Sequence, residues 1–233
     1  MAPINELAKV CIVCGREFPK DIHDCPDDLV RLSDKDPLLG TIFDGKFEVL
    51  DFIGIGGLGR VYKARHIELN RIYALKILKS SEIVDLQRFR REAISIGQLS
   101  HPNIAQVYAF SISPDSRPYM VLEFLDGKDL ADRLARDGAL SVAEAIPIFV
   151  QVASALAHAH SRGVIHRDIK PGNFIILSTP FENEEVKVVD FGMAKLTFEE
   201  TLSSQKITLE GEVFGTKQYI APEQYMGDPA DAR

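Results

Sequence analysis

Val164-Ile165-His166-Arg167-Asp168-Ile169-Lys170-Pro171-Gly172-Asn173 is the stretch on which the reading of this chain turns. It follows a short apolar pair with a carboxylate, an ammonium group and a carboxamide around a Pro-Gly break, which marks a loop rather than a regular element. Taken singly, Asp, Lys and Asn in a loop hydrogen-bond to turns. What lifts them above that is the neighbourhood: two brief hydrophobic runs, Phe174–Leu177 and Val186–Val189, lead to a second carboxylate in Val189-Asp190-Phe191-Gly192. Further on stands Gly215-Thr216-Lys217-Gln218-Tyr219-Ile220-Ala221-Pro222-Glu223.

Upstream of this stretch the pattern is different. Phe47–Leu50, Arg60–Ala64 and Ile72–Ile77 are β-prone runs separated by glycine-rich or polar turns, and they predict antiparallel strands. Between the first two, Gly54-Ile55-Gly56-Gly57-Leu58-Gly59-Arg60-Val61 has the form G-x-G-x-x-G-x-V, whose glycines let backbone N–H groups approach an anion. A dinucleotide fold would need a helix directly after this loop, whereas the residues from Arg60 are strand-like. Lys76 lies in the third run, and Glu92 lies on a predicted helix, Asp85–Leu99, whose Phe89, Ala93, Ile96 and Leu99 share a face. Strands follow around Ile104–Ser111 and Tyr119–Phe124. Ser141 and Glu144 then form a capping-box pattern that opens a long helix with Ala145, Ile148, Phe149, Val152 and Leu156 as its buried stripe. Pro147 inside it predicts a kink or a delayed start. A strand-rich half followed by a helix-rich half suggests two lobes with a cleft between them.

With these motifs in this order, the chain from about Phe47 onward resembles the protein kinase family, specifically the bacterial serine/threonine kinases of eukaryotic (Hanks) type. The resemblance implies an α+β, protein-kinase-like bilobal fold: a β-rich N-lobe at about 47–124 and a mostly helical, incomplete C-lobe at about 125–233. It implies transfer of the γ-phosphoryl group of ATP to protein Ser/Thr hydroxyls, with Mg²⁺. Asp168 would orient the attacking hydroxyl, Lys170 would neutralise the transferring group, and Asn173 and Asp190 would hold the metal through hard oxygen ligands. Lys76 would hold phosphates and be positioned by Glu92. Gly54, Gly56 and Gly59 would cover the phosphates. Adenine would lie between Ile53, Val61 and Ala74 above and Ile175 below, with backbone groups of Glu123 and Leu125 at its edge after Leu122. Arg167 would receive a phosphate on the segment between Gly192 and Gly215, where Thr197, Thr201, Ser203, Ser204 and Thr208 are candidates. Thr216 and Lys170 favour Ser/Thr acceptors in the same family. The family's C-lobe helices do not follow Glu223, so a fragment or a truncated product is expected, and a homodimer is a further partner the resemblance admits. A nucleotide-binding pseudokinase or regulatory scaffold is the alternative; the presence of Lys76, Asp168 and Asp190 disfavours it.

Residues 1–40 have a character of their own, and the boundary is set between them and 41–233. Cys11-Ile12-Val13-Cys14-Gly15 has the form of a zinc knuckle, with Cys25 as a third thiolate and Asp28 or His23 as a fourth ligand, which suggests a small zinc-ribbon-like module. Reduced thiols in a flexible leader are the competing reading. All 3 cysteines lie here, so no disulfide framework is expected. With 27 Lys and Arg against 34 Asp and Glu, the formal charge is −7, which gives nucleic acid or an anionic membrane no general attraction. No stretch is expected to cross a bilayer, and a cytoplasmic location follows from these features.

Overall fold

The computed structural model describes residues 7–10, 16–19, 21–27, 29, 31–34, 36–56, 59–78, 86–178, 184–191, 219–226, 228 and 230–232. Three short antiparallel strands, β1 (Leu7–Val10), β2 (Glu17–Pro19) and β3 (Ser33–Asp34), form a small sheet in the order β2-β1-β3. Its interior is Cys25 and Leu32 with Phe18 against them. Ladders of two to four residues are too short to display a period, which is why the sequence pattern does not announce them.

A six-stranded antiparallel sheet follows. Its strands are β4 (Ile42–Phe43), β5 (Phe47–Gly56), β6 (Gly59–His66), β7 (Arg71–Leu78), β8 (Val107–Ile112) and β9 (Pro118–Glu123), in the order β4-β5-β6-β7-β9-β8. The predicted runs fall inside these strands. One cluster is aromatic and aliphatic: Phe43, Phe47, Val49, Tyr62, Tyr73, Leu75, Ile77, Tyr119 and Val121. Phe43 meets Tyr119 edge-on with ring centres 5.1 Å apart, a geometry that adds about 1 kcal/mol to burial. Leu38 and Leu39 pack on the same cluster, so contacts cross the boundary expected after residue 40.

Helix α1 (Leu86–Gly97) lies between β7 and β8 and sends Ala93 and Ile96 into a second cluster with Leu78 and Met120. That cluster continues into the other half of the molecule through Ile104, Leu130, Ile148, Val152, Ala155, Ala159, Phe174, Val186 and Val188, so the two lobes share one apolar interior. Asn103 fastens the junction by donating from Nδ2 to Gln151 Oε1 (2.8 Å) and to the Val186 carbonyl (2.9 Å).

The second half contains β10 (Gly127–Asp129), α2 (Leu130–Asp137), α3 (Val142–His160), a 3₁₀ turn (Pro171–Asn173), β11 (Phe174–Leu177), β12 (Val186–Val188) and α4 (Pro222–Met226). β10, β11 and β12 form an antiparallel sheet in that order. The capping box is present: Glu144 N–H donates to Ser141 Oγ (3.3 Å) and Ser141 N–H donates to Glu144 Oε2 (2.9 Å). Pro147 does not delay α3, which begins five residues earlier at Val142. The carbonyl that loses its partner, Ala143, lies in an exposed first turn where water can satisfy it. α3 also departs from the expectation that no stretch could cross a bilayer: it is 19 residues long, the length of a span, and an 18-residue window of it has a mean hydropathy of 1.5. Ile148, Val152, Ala155 and Ala159 nevertheless bury one stripe of it in the shared core.

Candidate functional site

The site lies where β5, β6 and β7 face the connection after α3. β5 and β6 meet as Gly56 opposite Gly59, and Gly57 and Leu58 at the tip lie outside the described residues. Gly59 is glycine for a local reason. A Cβ there would lie 2.1 Å from the Ile77 carbonyl oxygen of β7, closer than any real side chain comes. At Gly54 a Cβ would meet nothing within 4 Å. The ladder sets Val61 beside Lys76 and Ala74 beside Leu122, so the residues expected above adenine share one part of the sheet. Ile53 is half exposed on β5, and Ile175 lies on β11, paired with Asp129 and Lys187.

Lys76 is a buried cation of the upper lobe, 2 % exposed, and its Nζ stands 2.5 Å from Asp190 Oδ1. Ion pairing at this distance brings together two residues that lie far apart in the chain, one from each lobe. Desolvation works to raise the Asp190 pKa, but the Lys76 ammonium more than offsets it, with Lys170 adding to the effect, and the carboxyl is held below the usual aspartate value. The backbone of Glu92 lies in α1, but its side chain is outside the described residues; the expected Lys76–Glu92 pair therefore has no structural account.

Opposite, the connection from α3 to the 3₁₀ turn is cross-linked by its own side chains. Asn173 Nδ2 donates to the Asp168 carbonyl (2.6 Å) and to Asp168 Oδ2 (3.0 Å), and Lys170 Nζ lies 2.8 Å from the same oxygen. Both donors hold Oδ2, which leaves Asp168 Oδ1 as the freer acceptor. The Val189 N–H donates to the Asn173 carbonyl (3.0 Å), which ties this loop to the residue before Asp190. Arg167 and Asp190 both adopt left-handed backbone, φ 65° and 60°, a conformation costing non-glycine residues about 1 kcal/mol or more and concentrated at functional sites.

His166, to which the sequence pattern assigns no role, organises the loop. It is 1 % exposed; its Nε2–H donates to the Val189 carbonyl (2.9 Å) and its Nδ1 accepts from the Asp168 N–H (3.2 Å). Burial holds its pKa below the usual histidine value, so the ring is neutral with the proton on Nε2. Its ring packs on Phe191 at 4.6 Å between centres. Its place directly before Arg167-Asp168 is the signal that could have marked it. Two further contacts had no such signal: Lys187 Nζ pairs with Glu123 (3.0 Å), and Gln224 Nε2 of α4 donates to the Arg167 carbonyl (3.0 Å). The Glu123 N–H donates to the Gln106 carbonyl (2.8 Å), and Leu125 follows, half buried, in the connection to β10.

Magnesium fits these donors. With Asn173 Nδ2 engaged by Asp168, the carboxamide oxygen is its remaining acceptor, and Asp190 keeps Oδ2 beyond the oxygen facing Lys76. Hard oxygen donors of this kind suit Mg²⁺. Zinc is not supported. Cys11, Cys14 and Asp28 lie outside the described residues, and among the described residues no cluster of three His, Cys, Asp or Glu could hold a metal. Cys25 packs as core beside Leu32, and the His23 Nδ1 lies 3.0 Å from Lys9 Nζ. Gly192, Thr197, Thr201, Ser203, Ser204, Thr208, Gly215 and Thr216 also lie outside the described residues.

Comparison with known proteins bears on the same elements. The chain is 38% identical over 207 residues to the serine/threonine-protein kinase pkn3 of Myxococcus xanthus, covering 88% of this chain and 38% of that protein. It is 40% identical over 201 residues to a probable serine/threonine-protein kinase of Clostridium perfringens, covering 84% and 28%. The chain thus spans under half the length of these relatives. Among solved structures, the crystal structure of the Mycobacterium tuberculosis PknI kinase domain superposes with a TM-score of 0.62 at 27% identity, covering 83% of this chain and 70% of that one. The protein kinase domain pattern matches residues 47–232, and the chain belongs to the protein kinase family.

Proposed function

We propose that this chain carries the catalytic centre of a serine/threonine protein kinase, transferring the γ-phosphoryl group of ATP to a protein hydroxyl. The observation that carries the reading is the cross-linked set Asp168–Lys170–Asn173 facing the interlobe pair Lys76–Asp190. Phosphoryl transfer asks a protein mainly for positioning and charge neutralisation, and this arrangement offers both.

The residues divide the work as follows. Asp168 accepts the hydrogen bond of the attacking hydroxyl at its freer Oδ1, while Asn173 and Lys170 keep the carboxylate from rotating. Lys170 sets positive charge beside the position where the transferring group gains negative charge. Lys76 binds phosphate oxygens of the nucleotide, and the glycines of β5 and β6 leave room for those phosphates. Ile53, Val61, Ala74 and Ile175 supply apolar contact to the base, and Glu123 and Leu125 backbone groups meet its edge. Asn173 and Asp190 would hold Mg²⁺, which when bound draws charge from the phosphate oxygens. The named relatives support a Ser/Thr acceptor, and Lys170 agrees with it. The pseudokinase alternative gains no support from any of these residues.

The test is incubation of the full chain with γ-labelled ATP, Mg²⁺ and a generic protein acceptor. Asp168→Asn is expected to lower incorporation by about 10²–10⁴-fold, the usual contribution of a positioned acid–base group. The fold should survive, because Asn173 still bonds the residue-168 carbonyl. Incorporation that persists in Asp168→Asn would remove the mechanism.

A further inference from the structure

Resting on that reading, we propose that Asp36, ahead of the kinase-domain match, is a positioning residue for strand β6, which it holds through Arg60 and Tyr62 where that strand faces the nucleotide.

The segment carrying Asp36 is built into the upper lobe. Gly40 N–H donates to the Val49 carbonyl and Val49 N–H donates back to the Thr41 carbonyl, both at 2.9 Å. Phe43 is 2 % exposed, and Asp44 accepts from the Tyr119 hydroxyl (2.5 Å) and from Lys46 (2.8 Å). Leu38 and Leu39 pack on the aromatic cluster. Residues 36–44 therefore form a strap fixed at several points, with the Asp36 carboxylate at its upstream end.

That carboxylate is fully engaged. Oδ1 accepts from the Leu38 N–H (3.0 Å), and Oδ2 accepts from Arg60 Nη1 and from the Tyr62 hydroxyl, each at 2.7 Å. Arg60 directly follows Gly59 and pairs with Ile55 across the turn. Side chains alternate along a strand, so Arg60 and Tyr62 lie on one face of β6 while Val61 lies on the other, with Lys76 beside it in the ladder. The grip is therefore on the face away from Val61, and it fixes the strand without occupying nucleotide space. Burial and the Asp36 carboxylate push the Tyr62 pKa up to about 12, while the Leu38 N–H, Tyr62 and Arg60 hold Asp36 low despite its own desolvation. An exposed Arg–Asp pair alone contributes little. Two donors from the same strand face on one largely buried oxygen constrain where that strand can stand.

The test compares the full chain with Asp36→Ala, Asp36→Glu, Arg60→Ala and the Asp36→Ala/Arg60→Ala double variant. Each is assayed for affinity toward a fluorescent ATP analogue by direct titration, for KM(ATP) and kcat, and for thermal melting. Asp36→Ala is expected to weaken nucleotide affinity and raise KM about three- to tenfold with kcat within about twofold, the size of a lost charge-assisted contact. Asp36→Glu should recover part of this, and the double variant should be no weaker than the worse single one. If Asp36→Ala folds poorly, half-exposed Arg60 carries the same comparison. Equal affinity in folded Arg60→Ala and wild type, or a fall in kcat alone, overturns the inference while leaving the proposed function standing. Absence of nucleotide binding by the unaltered chain would overturn both.

Discussion

The floor and the roof of the cleft are built by opposite means. The floor is a knot of side chains: His166, Asp168, Lys170 and Asn173 hold one another, and Arg167 and Asp190 accept left-handed backbone to do so. The roof rests on backbone approach: two strands that meet as Gly56 opposite Gly59, with Gly59 seated against the Ile77 carbonyl of the next strand. The difference teaches where each half can be broken. The floor fails when a polar partner is removed. The roof fails when an atom is added.

Two glycines of one motif sharpen this. Gly59→Ala forces a Cβ against the Ile77 carbonyl, so β6 and β7 must part along a central ladder. The expected cost is about 3 kcal/mol or more, read by urea unfolding. Gly54→Ala has open space and a backbone that any residue can adopt, so its unfolding free energy should stay within about 0.5 kcal/mol of wild type. Its nucleotide affinity should drop, because the added methyl occupies the face left clear for phosphate. Equal stabilities for the two variants would refute a roof built on close backbone approach.

On the floor, His166→Ala removes a buried ring, its donor bond to Val189 and its packing on Phe191. A loss of about 2–3 kcal/mol at pH 8 is expected from the cavity and the orphaned carbonyl together. The pH dependence has a definite sign. The folded pKa lies below the ordinary histidine value, so the unfolded chain binds the proton first as pH falls. Wild-type stability attributable to this ring is therefore present above about pH 6.5 and lost below it. His166→Ala should lack that part of the slope; an unchanged slope in urea titrations between pH 8 and 5 would contradict a buried neutral ring.

How much of this was visible beforehand follows from how far each signal reaches. Strands β5, β6 and β7 were legible because their apolar runs are long and bounded by glycine or polar turns, and α3 because Ser141 and Glu144 mark its start. The floor was legible as a set of residue types, since Asp168, Lys170 and Asn173 lie within one loop. Contacts between distant segments were not. Nothing in the local pattern pairs Lys76 with Asp190, Glu123 with Lys187 or Asp36 with Tyr62, because each partner looks like an ordinary surface residue until the chain closes. Strands β1, β2 and β3 escaped for a different reason, being too short to carry a period, and cysteine spacing alone suggested a metal there.

The interlobe pair offers the finest test, because it joins roof to floor. Lys76→Met leaves Asp190 charged with its compensating ammonium gone. Complete burial of such an orphan would cost roughly 3–5 kcal/mol, but the Asp190 side chain is about one-third exposed, so about 1–2 kcal/mol is expected at pH 7. In the wild type the depressed carboxyl contributes stability above the ordinary aspartate value, and this is lost as pH falls through the lower folded value. Without Lys76 the largest influence opposing desolvation is gone, so the folded pKa rises and acidification protonates the native carboxyl earlier, relieving the penalty. The stability gap between the two proteins should therefore be widest near neutrality and narrow toward pH 4. Urea midpoints at pH 7, 5.5 and 4 decide it: a gap that stays constant would mean that Lys76 contributes packing rather than charge, and that the charge holding the lobes together comes from Lys187 and Glu123, beside the shared apolar core and Asn103.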